Sequence, residues 1–226
     1  MPSYGCLLTR SHTLFHNISK PVVTLVLYKN SILDYVFSGI LPFISEHGRM
    51  ALNLVSLDER VRGLMVQEIN RDIQAGMLYL SDNLNPQGKE DYPSLLLKAS
   101  TSGDSDSLAF DIHSRLNTYE KPRRLPNGSL SKAPVMRVNA HTMLAEGEFN
   151  RFYIRAVCLL SIKEYSGTVE VYRAKEVSHS RSESERKIGS VVSAEKLLDD
   201  LRGSVGIDTA LGLPAGPNSG LTVKLC

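Results

Sequence analysis

Apolar positions repeat along the chain with two periods. Residues 22–28, VVTLVLY, form a β-branched run of strand length. In SILDYVFSGILPFI, residues 31–44, Ile32, Tyr35, Val36 and Ile40 share one side of a helix that Pro42 ends. Ser56-Leu-Asp-Glu59 has capping-box spacing, and Val61, Leu64, Met65, Ile69 and Ile73 follow at helical intervals. Gly76 stands where a left-handed cap belongs, so the pattern predicts a helix over 57–75. MLYLSD then reads as an extended connection, and Asp91-Tyr-Pro-Ser opens a helix through LLLKAS with its proline early. Ser105 or Asp106 caps a further helix, carried to Leu116 by Leu108 and Ile112.

The second half mixes the periods. Residues 134–140, PVMRVNA, read as a strand, and TVEVYRAKEV, 168–177, alternates as another. Between them lies AEGEFNRFYIRAVCLLSI, 145–162. On a helix, Phe149, Phe152, Tyr153, Ala156, Val157 and Leu160 cover one broad face. Ile154 and Leu159 widen it, leaving a narrow polar stripe of Glu148, Arg151 and Arg155. A helix apolar nearly all round is a buried one, so this stretch is the expected centre of the core. Its arginines are expected to pair with Glu148 or with carboxylates of a packed neighbour. SHSRSESERKIGS is polar and reads as a loop, Ser193 caps AEKLLDDLRG as a helix, and LTVKL near the C-terminus reads as a strand.

The expected class is α+β. A mainly helical part with an early strand spans 1–117, a basic Pro/Gly loop or linker spans 118–133, and a mixed strand and helix part spans 134–226.

Composition narrows the classes. The 226 residues are 42% hydrophobic and 22% charged, a globular balance. With 26 Lys+Arg against 24 Asp+Glu, nucleic-acid binding would need a local patch. Cys6, Cys158 and Cys226 are odd in number and far apart, which argues against a disulfide framework or a zinc site. Cys158 falls within the central helix pattern as a packed thiol. The first twenty residues lack a basic segment leading into a long apolar one, so no secretory signal is expected. Lys29, Asn30, Asp34 and two prolines interrupt 21–44, so no membrane span is expected there either. The sequons at Asn17 and Asn127 then have no secretory context. A cytoplasmic or virion-associated protein is expected.

Candidate chemistry is sparse. His12 and His16 have helical ligand spacing but no carboxylate companion, and His141 precedes Glu146 and Glu148. LGLPAGPNSGL has three glycines, yet its prolines remove the donors a phosphate cradle needs. A nuclease reading can draw on Glu185-Arg-Lys187, with Asp111 or Glu170 as the upstream acid. No metal or cofactor is expected.

Cations are the remaining candidates. Lys121, Arg123 and Arg124 lie in the loop, and Arg151, Arg155, Arg173, Lys175, Arg181, Arg186 and Lys187 lie later among Phe149, Phe152, Tyr153 and Tyr172. Such mixing suits stacking and phosphate contact. Glu146, Glu148, Glu164, Glu170, Glu176, Glu183 and Glu185 dilute it.

The stretches QEINRDIQAGMLYLSDNLNPQGKEDYPSLLLKAS, AEGEFNRFYIRAVC, VEVYRAK, RSESERKIG and LGLPAGPNSGLTVKL resemble uncharacterised prokaryotic and phage-type proteins, over residues 57–226. The resemblance implies a microbial or virus-like context and no activity. The expectation is a non-catalytic structural or assembly protein that self-associates or binds a protein partner, as in a phage-like particle. The alternative is a nucleic-acid binder or nuclease using the cluster at 151–187.

Overall fold

A computed structural model describes residues 52–177, 180–206, 211 and 219–226. The expected strand 22–28 and helix 31–44, Cys6, Asn17, His12, His16 and most of the glycine-rich tail loop lie outside them. Helices α1 (Glu59–Gln74), α2 (Pro86–Ser102) and α3 (Ser105–His113) come first, then the long α4 (Ala140–Glu164). Strand β1 (Thr168–Arg173), the short helix α5 (Ser182–Lys187), β2 (Val191–Ser193), α6 (Ala194–Gly203) and β3 (Leu221–Leu225) follow. Six helices and a small antiparallel sheet make the described residues α+β.

Local chemistry sets the helix ends. The α1 cap is Asp58, not Ser56: its carboxylate accepts from Val61 N at 2.9 Å. Ser56 is held elsewhere, its N–H donating to the Tyr153 hydroxyl at 3.1 Å. Gly76 takes φ +64° after the helix, as expected. Helix α2 begins at Pro86, behind the Asn85 cap, so Pro93 is inside the helix and not in its first turn. Asn85-Pro86 carries the same cap-then-proline signal one turn and more upstream, and it prevails. Helix α3 is capped by Asp104 through a reciprocal box with Ser107, one residue before the expected cap. It ends at His113, leaving Leu116 to form an isolated bridge with Leu84.

Residues 134–140 form no strand. Val135 makes a single bridge to Tyr119, and Arg124 makes another to Leu130, so 118–138 is an irregular hairpin arm turning at 125–129. Val135 and Val138 stay exposed, so no buried face stabilises a strand there. Within 168–177 the strand stops at Arg173, and the polar stretch after it contains helix α5. Ser193 caps α6 as expected, accepting from Lys196 N.

The sheet order is β2-β1-β3, antiparallel throughout, with Val169 opposite Val192 and Val171 opposite Val223. Val169 and Val171 are fully buried and alternate with the more exposed Glu170. Helix α4 runs through the middle, packed on α1, α3, α6 and the sheet, and one apolar cluster joins these elements. Phe149, Phe152, Tyr153, Ala156, Val157 and Leu160 are all buried in it. None of the described helices is long and apolar enough to cross a membrane.

Candidate functional site

The strongest concentration of charge lies inside the core. Arg155 is 1% exposed. Its Nε and Nη2 donate to Glu68 Oε2 at 2.8 and 2.6 Å, and its Nη1 and Nη2 donate to Asp72 at 2.5 and 2.9 Å. Its guanidinium also lies over the Phe152 ring, 4.7 Å from the centroid. Arg202 of α6 grips Glu68 from another side, at 3.0 and 2.6 Å. Four residues from three helices thus form one array, and Arg71 reaches its Asp72 edge at 3.5 Å. Burial alone would raise the Glu68 carboxyl, but hydrogen bonds and charge from Arg202 and Arg155 outweigh it and hold it below its ordinary range.

Arg151 lies one turn earlier on α4. Its Nε faces Glu148 at 3.3 Å, and its Nη1 donates to the Leu201 and Ser204 carbonyls at 3.2 and 2.8 Å. It thereby satisfies carbonyl groups at the end of α6 that have no partner within the helix. Glu148 is the contrasting acid: burial raises its carboxyl, and the opposing charge of Arg151 only partly offsets that. Beside it the buried Tyr92 hydroxyl has no hydrogen-bond partner among the described residues.

The polar stripe of α4 is therefore an internal clamp. Each carboxylate of Glu68 and Asp72 is fixed by guanidinium donors, which suits holding helices in register and leaves neither free as a base. The signal for Glu68 and Asp72 was present in the sequence. They follow Val61 and Met65 at helical intervals, on the very stripe that faces the core.

The other cations are dispersed. Arg173 pairs with Glu185 at 2.7 Å and donates to the Ser219 carbonyl, and Lys175 pairs with the buried Glu146. Arg181 opens α5, which carries the exposed Arg186 and the partly exposed Lys187. On the arm, Lys121 pairs with Asp82 at 2.7 Å and Arg123 with Glu120 at 3.4 Å, while Arg124 is exposed. The nuclease acids are engaged separately: Glu185 by Arg173, Asp111 by Lys98 at 2.9 Å, and Glu170 by Lys224 at 3.1 Å.

Two smaller constellations escaped the sequence reading. His113 and His141 meet edge to face, their centroids 4.5 Å apart, across the end of α3 and the start of α4. Asp106 comes near Glu146 and Lys175; burial first, then the charges of Asp104 and Glu146, raise its carboxyl. Cys158 is buried and its thiol pushed up to about 12, so it is a packing group and no nucleophile. No group of three or more His, Cys, Asp or Glu among the described residues could hold a metal ion.

Exposed apolar side chains of the described residues are concentrated on the arm. Tyr119, Leu125, Leu130, Val135 and Val138 are exposed large apolar side chains within twenty consecutive residues of the arm, Val138 at 92%. No family model, curated protein or solved structure matches the chain.

Proposed function

We propose that this protein acts through protein–protein contacts, as a structural or assembly component of a larger complex such as a phage-like particle, with the 118–138 arm as its contact surface. The observation that carries the reading is the row of exposed apolar side chains on that arm. Apolar surface concentrated on a projecting segment is what a partner covers. The arm's root is well tied: Asn117 N–H donates to the Asn83 carbonyl, and Glu120 receives Arg137 at 2.8 Å. A braced arm that keeps its apolar side chains exposed suits docking.

Nucleic-acid binding through 151–187 is the weaker reading, because Arg151, Arg155, Arg173 and Lys175 are each paired with a carboxylate. Light scattering on the full chain, with and without labelled DNA and RNA at low and high salt, separates the two. The contact reading expects association between protein chains and no salt-dependent nucleic-acid binding. Tight, salt-sensitive nucleic-acid binding by a monomer would overturn it.

A further inference from the structure

We infer that the partner of the arm is a second copy of this chain, docked through the outer face of its α3. The inference rests on the contact reading above and names the partner. The arm carries five lysines and arginines against one glutamate. Arg124 and Lys132 are exposed, and no hydrogen bond or ion pair engages their side chains among the described residues. A partner for this surface is therefore apolar and acidic together.

Helix α3 offers that combination. Its outer face presents Phe110, a large aromatic ring, at 83% exposure. Residues 104–113 hold three aspartates and no lysine or arginine. Asp106 lies one turn before Phe110, on the same side of the helix. Lys98 pairs with Asp111, Lys175 lies near the half-buried Asp106 and offsets its charge in part, and the cap Asp104 is exposed. An exposed aromatic ring on a helix of acidic balance complements an arm of exposed leucine and valine beside the cations Arg124 and Lys132.

The arm does not serve its own α3. Its root is bound to residues 82–84, and among the described residues no hydrogen bond or ion pair joins 118–138 to 104–113. Arm and face are thus two different surfaces of one chain, each fitted to the other on a neighbour. Contacts of that kind are heterologous and generate rings or open chains of subunits, which is what an assembly component needs.

The test is sedimentation velocity on the full chain and two variants, Leu130→Asp in the arm and Phe110→Asp on the face. Both positions are exposed, so neither change touches the core, and circular dichroism checks that both variants fold. Expected are concentration-dependent association of the wild type, weakened by salt, and monomer mass for each variant alone. An equimolar mixture of the variants should give a one-to-one dimer, because one supplies an intact arm and the other an intact face. A wild type that is monomeric at every concentration overturns the inference. So do variants that associate like the wild type, or a mixture that stays monomeric. If the wild type is monomeric while its arm binds a different protein, the self-association fails and the contact reading stands.

Discussion

Arg155→Ala deletes the centre of the buried clamp. The change removes four N–H···O contacts of 2.5 to 2.9 Å and the cation over Phe152. The two acids then fare differently. Glu68 keeps both bonds from Arg202, but Asp72 keeps only the largely exposed Arg71, at 3.5 Å. Removing one partner of a buried ion pair strands a charge in the core, which costs about 3–5 kcal/mol. For a chain of this length each kcal/mol lowers Tm by roughly 2–4 °C, so a fall of roughly 6–20 °C is expected by calorimetry, with urea titration as a second measure. Adding Asp72→Asn removes the stranded charge. The double variant should therefore be more stable than the sum of the single losses, by about 0.5–3 kcal/mol. Loss of less than about 1 kcal/mol on Arg155→Ala, the range of an exposed pair, together with additive single effects, would refute the reasoning.

The neighbouring residues give sharper contrasts. Phe152→Ala, at a 1% exposed ring, should lower stability by about 3–5 kcal/mol in urea titration, and an unchanged midpoint would remove Phe152 from the core. Glu148 has a folded-state pKa above its ordinary 4.5, so its contribution is fully present below that value and is lost as pH rises through the folded one. Glu148→Gln should therefore gain stability relative to the wild type as pH climbs from 4.5 to neutrality. A difference that does not change with pH contradicts the burial argument. Iodoacetamide labelling with peptide mapping should modify the exposed Cys226 and spare Cys158 until the protein is unfolded; rapid labelling of Cys158 in the native state would contradict its packing.

The central helix was legible because its apolar period outlasts its interruptions: Phe149 to Leu160 is buried as the pattern requires, and Arg151 and Arg155 form its polar edge. The α6 cap at Ser193 and the terminal strand were legible for similar local reasons. Helix starts were harder where two signals compete. Ser56 and Asp58 both precede α1, and backbone geometry selects Asp58, with extended φ and ψ, because Ser56 is held by Tyr153. PVMRVNA has strand composition, but among the described residues no neighbouring strand covers it, and β composition without a packing surface does not make a sheet.

The candidate cations were visible as residues but not as partners. Glu68 and Arg202 are 134 positions apart in sequence, and the tertiary fold alone brings them together. What a local reading assigned to a possible basic surface was largely distributed into pairs with acids from other elements. The arm was legible as an exposed basic loop. Its apolar side chains were not, because Leu125 and Leu130 lay in a loop read for its cations and Val135 read as an ordinary strand residue until their exposure is known.

The most direct measurement is photo-crosslinking from the arm. A photoactivatable phenylalanine analogue at position 130, in the full chain, should link to another protein chain on irradiation. Peptide mapping should place the link within residues 104–113 of a second copy, while a control analogue at exposed Arg186 should give none there. Links confined to the analogue's own chain, or equal yields from both positions, would contradict the account of the arm as the contact surface.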